Sequence, residues 1–166
     1  LLELARLQST TEPPAVEAID LTDTIAAAVD AMPAAVRNRV QIDIAPGTPL
    51  VASNAVMLHH ITMNLIDNAA KYSPPDAAIG VRVAEDGAGG AILSVVDGGP
   101  GVGDDAHDLF GLFRRGRNAD SAPGSGVGLA VVDAFARALG HDVSLSNRSD
   151  GQGSVFAVAI AGVARR

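Results

Sequence analysis

The chain has no cysteine, no tryptophan, one tyrosine and four phenylalanines. It also has a single lysine, Lys71, among twelve cationic residues. The missing thiols exclude a disulfide scaffold and any thiolate metal site, and they fit a reducing compartment. With aromatics at 3% of residues, the core has to be built from Ala, Val, Leu and Ile. No apolar run reaches the ~18 residues that span a bilayer, and no secretory signal opens the chain. The longest basic block is Arg114-Arg115-Gly116-Arg117 and the net charge is −7. Both argue against nucleic-acid binding through phosphate neutralisation. An anionic small ligand would need local cations, a metal or helix-terminus amides to offset that field.

What remains is an ordinary globular composition, 166 residues with 48% apolar and 19% charged, enough for one core but not for two. The first residue is Leu, as expected of a piece of a longer protein. Leu1, Leu4 and Leu7 repeat at near-helical spacing before the polar break Thr10-Thr11-Glu12-Pro13-Pro14. Residues 1–14 therefore read as the end of a helix and a linker, and 15–166 as the domain proper.

The periodicities predict strands over 16–21, 40–44, 50–52, 79–84, 91–96, 142–146 and 154–160. They predict helices from Asp20 or Thr22 to Met32, from Ser53 or Asn54 to Tyr72, and over 128–139, the last closed by Gly140. Strands mixed with three helices predict an α/β (α+β) two-layer sandwich, with the helices on one face of a mixed sheet. A Gly-rich irregular segment over 97–125 is long for so small a domain, and such segments are usually functional.

The lone Lys71 and lone Tyr72 end a helical run that also holds Asn64 and Asn68. At roughly 100° per residue, with Asn64 at 0°, Asn68 falls near ~40°, Lys71 near ~−20° and Tyr72 near ~80°. The stripe reads as a site or as a solvated face, though exposed faces usually carry Glu, Lys and Arg rather than amides. Asp97-Gly98-Gly99-Pro100-Gly101 follows a strand directly. Its glycines admit a flat ligand and Asp97 offers an acceptor for an exocyclic amine; it also reads as a plain Gly-rich turn. Gly124-Ser125-Gly126-Val127-Gly128-Leu129 opens a helix and is either an anion cradle or a hinge. Between them, Phe110 and Phe113 can pin a loop from which Arg115 could approach a phosphate chain.

In this order, MNLIDNAAKYSPP at 63–75, DGGPG at 97–101, LFGLFRRG at 109–116 and GSGVGLAVV at 124–132 resemble the N, G1, F and G2 boxes of sensor histidine kinases. Those are the ATP-binding domains of the GHKL superfamily. The resemblance covers roughly residues 16–160. It implies the Bergerat (GHKL) fold, with a mostly antiparallel sheet, and implies ATP and Mg²⁺ as ligands. Asn68 matches the Mg²⁺ ligand, Lys71 meets phosphate, and Tyr72 lies on the adenine or ribose side. Asp97 matches the adenine-reading acid, with Gly99 and Gly101 shaping that pocket. Gly124, Gly126, Val127, Gly128 and Leu129 lie beneath the phosphates, with Phe110 and Arg115 in the lid.

Asn64 stands where hydrolytic members hold a Glu base, and an amide cannot take a proton from water at neutral pH. That implies transfer to a protein nucleophile, in this family a histidine on a dimerisation domain. The opening LLELARL resembles the end of that domain's second helix, and the rest of 1–14 its linker. None of His59, His60, His107 and His141 has the acceptor's following residues; they read as packing or surface groups. The implied partners are the parent's own dimerisation domain, within a homodimer, and a response regulator. The implied setting is the cytoplasmic side of a bacterial inner-membrane sensor. The competing readings are a GHKL ATPase or anti-sigma serine kinase, and a degenerate module that only binds a partner. Gly111 and Gly98 depart from the family pattern, standing where an acid and a polar residue are usual.

Overall fold

The computed structural model describes residues 12–101 and 127–164. Along the chain run β1 (Glu17–Ile19), α1 (Leu21–Asp30), α2 (Ala34–Arg37), β2 (Val40–Ile44), β3 (Val51–Ser53) and α3 (Ala55–Tyr72). They are followed by β4 (Ile79–Glu85), β5 (Ala91–Val96), α4 (Val127–Leu139), β6 (Asp142–Asn147) and β7 (Ser154–Ile160).

The helix ends follow from local chemistry. Asp20 starts α1 by accepting the Thr22 N–H at 2.8 Å, so the strand before it stops at Ile19 instead of running on to Leu21. Asn54, not Ser53, caps α3, accepting the Met57 N–H at 3.0 Å. Along α3, Met57, Leu58, Ile61, Thr62, Leu65, Ile66 and Ala69 are buried, the alternating three-and-one spacing of a single core-facing stripe. The helix ends at Ser73 because Pro74 and Pro75 disfavour helical backbone before them and cannot donate the next hydrogen bonds.

Five strands form one sheet in the order β2-β4-β5-β7-β6. Only β2 and β4 are parallel; the other neighbours are antiparallel. Ile79, Val81, Leu93, Val95, Leu145, Phe156 and Val158 point to the helices and are buried with them in one core, while Arg82, Ser144 and Ala159 on the opposite face are exposed. Each fully buried Leu, Ile or Val contributes about 1.5–3 kcal/mol, which supplies the core despite the few aromatics. On the inner face α3 packs between α1 and α4. This is the expected two-layer sandwich.

Two features were not anticipated. α2 is an additional short helix set between Pro33 and Asn38. β1 and β3 do not join the main sheet but pair antiparallel as a separate ribbon. That ribbon is tied to the end of β7 by the Ala52 N–H to Ala161 carbonyl bond, 2.9 Å. Among the described residues no helix is long and apolar enough to cross a membrane. Most of the irregular 97–125 segment lies outside the described residues.

Candidate active site

α3 carries Asn64, Asn68, Lys71 and Tyr72 within its last nine residues, a stretch that rises about 12 Å at 1.5 Å per residue. Asn64 is half-buried and donates from Nδ2 to the His60 carbonyl at 2.7 Å. Its Oδ1 faces the first turn of α4, where a methyl added to Gly128 would stand 3.0 Å away. Glycine at 128 is therefore what lets α4 begin against the Asn64 amide. Asn68 is half-buried and Lys71 is exposed. The Lys71 ammonium pairs with Asp67 Oδ2 at 2.8 Å one turn back, both side chains being about half-exposed. Tyr72 is 47% exposed.

At the other end of the site, β5 delivers Asp97, which is only 2% exposed. Its Oδ1 accepts two backbone N–H groups, Gly99 at 2.9 Å and Ser154 at 3.2 Å. Its Oδ2 accepts the Ser154 hydroxyl at 2.5 Å. A buried carboxylate without such donors would be costly. A carboxylate offers about four acceptor positions; three are filled from within the described residues, and these leave one on Oδ2 unfilled. The turn around Asp97 depends on close backbone approach. A methyl on Gly99 would lie 2.5 Å from the Tyr72 carbonyl, and one on Gly153 would collide with the Asp97 carbonyl.

A cleft of about 630 Å³ opens beside this turn, lined by Tyr72, Ser73 and Pro74, by Gly98, Gly99 and Pro100, and by Gly151 and Gln152 at the tip of the β6–β7 hairpin. Its size is that of an ordinary small-molecule site. Tyr72 and Gly99, expected together from the sequence, do share it, and Gly101 continues the same loop with φ +81°. Asn64, Asn68 and Lys71 lie further along α3 and do not line it, and Asp97 sits beneath the Gly98–Gly99 turn. Leu129 is buried in the core, 6% exposed, so α4 has only its backbone to offer at that position. Phe110, Arg115, Gly124 and Gly126 lie outside the described residues, as do Gly111, His107 and the side chain of Val127.

Ser154 escaped the sequence reading, although Gly151-Gln152-Gly153 just before a strand repeats the glycine punctuation of the 97–101 loop. Ser73, which the sequence places only within the 63–75 run, also accepts the Gly98 N–H at 3.2 Å. The histidines fall as expected where described. His60 packs edge-to-face on Phe135 at 6.0 Å. His141 is buried with Nε2 2.7 Å from Ser53 Oγ. Burial pushes the His141 pKa below its ordinary value, and the neighbouring Asp142 partly opposes the shift.

Known proteins resemble the chain in sequence and in fold. A signal transduction histidine-protein kinase/phosphatase MprB from Mycolicibacterium vanbaalenii is 43% identical over 97 residues, 58% of this chain and 20% of its own. The protein of the same name from Mycobacterium bovis is 36% identical over 117 residues, 70% of this chain and 23% of its own. The chain thus spans about a fifth of the length of the curated relatives it matches. Among solved structures, a mycobacterial sensor histidine kinase MprB superposes with TM-score 0.71 at 26% identity, covering 91% of this chain and all of that one. The catalytic domain of histidine kinase ThkA superposes with TM-score 0.75 at 16% identity over 89% of this chain and 96% of its own, a likeness of fold. The profile described as histidine kinase-, DNA gyrase B-, and HSP90-like ATPase matches residues 53–161, and the chain belongs to that family.

Proposed function

We propose that residues 15–166 are the ATP-binding catalytic domain of a two-component sensor histidine kinase, and that residues 1–14 end its dimerisation helix and link the two. The observation that carries this is the division of labour along α3. One end lies by the Asp97 carboxylate, which the described residues leave with one acceptor position unfilled; the other, about 12 Å away, faces Gly128.

A base with an exocyclic amine satisfies Asp97 Oδ2, while Tyr72, Gly99 and Gly101 shape the pocket around it. The phosphates then run along α3 toward Lys71, Asn68 and Asn64 and the α4 amides at Val127, Gly128 and Leu129. By the family resemblance, Phe110, Arg115, Gly124 and Gly126 are assigned to the same nucleotide site. A single half-buried amide, Asn68, is a donor set that fits Mg²⁺, which prefers hard oxygens and keeps waters and phosphate oxygens for most of its shell. When bound, that ion neutralises charge on the phosphates. Lys71 supplies further positive charge once it leaves Asp67.

Asn64 has no basic group with which to deprotonate water. The γ-phosphoryl group is therefore kept for a histidine of the dimerisation domain, its P–O bond to ADP breaking as the new P–N bond forms. Catalysis then rests on positioning and charge neutralisation. The phosphoryl group passes from that histidine to a response regulator. The parent is a homodimer, with this domain on the cytoplasmic side of a bacterial inner-membrane sensor.

Calorimetry with ADP and a non-hydrolysable ATP analogue, with and without Mg²⁺, tests the reading; saturable binding strengthened by Mg²⁺ is expected. No binding at millimolar nucleotide overturns it in favour of a partner-binding module. Given a dimerisation domain in trans, acid-labile phosphohistidine is expected on that domain. Steady phosphate release by the chain alone, abolished by Asn68→Ala, would instead make it an ATPase.

A further inference from the structure

Arg39 enters β2 far from the cleft in sequence, yet its guanidinium is fixed on the cleft's wall. Nε donates to the Ala77 carbonyl at 2.9 Å across 38 residues, and Nη2 donates to the Pro74 carbonyl at 2.8 Å across 35. The turn it grips is closed by the Ala77 N–H on the Pro74 carbonyl at 3.0 Å. The Ile79 N–H on the Arg39 carbonyl, 2.9 Å, aligns the same turn with the start of β2.

The gripped turn in turn supports the loop that bears Asp97. Pro74 lines the cleft directly. A methyl on Gly98 would stand 3.3 Å from Ala77 Cβ, so that loop lies close on Ala77, which accounts for the small residue after Asp97. Ser73, at the head of the turn, receives the Gly98 N–H. A planar guanidinium presents two parallel donors at fixed separation, which a lysine ammonium cannot reproduce.

We infer that Arg39 is a positioning residue for the base side of the cleft: its fork on Pro74 and Ala77 sets the spacing between Pro74 and the Gly98–Pro100 wall. This rests on the nucleotide reading given above. Among the described residues the Arg39 guanidinium hydrogen-bonds to Pro74 and Ala77 alone, so its loss weakens recognition of the base and spares recognition of the phosphates.

The test uses Arg39→Ala and Arg39→Lys in the whole chain, with ADP and inorganic tripolyphosphate as probes in calorimetry. Gly98 and Ala77 amide exchange is followed without ligand. Losing one or two hydrogen bonds to the wall predicts ADP binding weaker by about five- to tenfold in Arg39→Ala and about two- to threefold in Arg39→Lys. Tripolyphosphate affinity stays within about twofold, and the Gly98 and Ala77 amides exchange faster. Should Arg39→Ala fail to fold, Arg39→Lys carries the comparison. Unchanged ADP affinity in a folded variant overturns the inference. So does an equal loss for ADP and tripolyphosphate, which would mean a generally loosened fold. Absence of ADP binding by the unmodified chain overturns the nucleotide reading, and this inference with it. Unchanged Gly98 and Ala77 exchange in Arg39→Ala overturns the clamp alone.

Discussion

The Ser154 hydroxyl donates to Asp97 Oδ2 at 2.5 Å, joining the first residue of β7 to the end of β5 across 57 positions. Ser154→Ala removes the donor and leaves a buried acceptor short of a partner, which costs about 1–3 kcal/mol. The carboxylate is then held only through the two backbone N–H groups on Oδ1, and ADP affinity falls by about tenfold. Ser154→Thr keeps the hydroxyl and restores both quantities. Denaturant midpoints and calorimetry on the three proteins check this; an undiminished ADP affinity in Ser154→Ala would remove Ser154 from the site.

The Asp67–Lys71 pair is an i,i+4 contact with both side chains half in water, worth about 0.3–0.5 kcal/mol and screened by salt. Asp67→Asn therefore barely changes stability. It frees Lys71 and removes an anion from beside the phosphates, so nucleotide binds about two- to threefold tighter at low salt. Titrations at two ionic strengths should show that gain shrinking as salt rises.

Asn54 works in two directions. Its Oδ1 caps α3 while its Nδ2 donates to the Ala15 carbonyl at 2.9 Å. Asn54→Ala loses the cap and destabilises by about 1 kcal/mol. Asn54→Asp keeps an acceptor of equal capping quality but opposes a carbonyl, so the unfolding midpoint is nearly retained. In that variant the amides of β1 exchange faster. Chemical denaturation and hydrogen exchange separate the two roles.

His141 gives the fold a pH dependence. Burial lowers its folded pKa below the ordinary 6.5, against the weaker pull of Asp142. Above that pH both folded and unfolded states are neutral and the group contributes nothing. As pH falls through 6.5 the unfolded chain takes up the proton that the folded chain resists, so stability drops, by at most about 1.4 kcal/mol per pH unit. His141→Gln, which preserves a polar partner for Ser53, should flatten the fall in denaturant midpoint between about pH 7 and 5.5. An equal slope in both proteins would place the effect elsewhere.

The elements that announce themselves in the sequence are those specified by neighbours along the chain. The apolar stripe of α3, its cap at Asn54 and the Pro74-Pro75 stop are local, and so is the alternation of β4 and β5. What escaped the sequence reading depends on partners far away. β1 and β3 were expected as strands, but not their pairing as a separate two-stranded ribbon, which depends on Ile19 meeting Val51 across the intervening helices and β2. α2, four residues long, is too short to show a period. At the site, the polar stripe and the glycine loop were legible because side-chain type and spacing carry them. Ser154, Ser73 and Arg39 were not, since a serine or arginine gains its meaning only from the carboxylate, amide or carbonyl the fold sets before it.

The β6–β7 hairpin reaches the cleft through Gly151 and an exposed Gln152, while the work of holding Asp97 falls to Ser154 just beyond. The Gln152 side chain can therefore be exchanged without disturbing that carboxylate. A ligand extended across the cleft toward the hairpin tip would meet Gln152 there, at a side chain whose replacement leaves the Asp97 carboxylate in place.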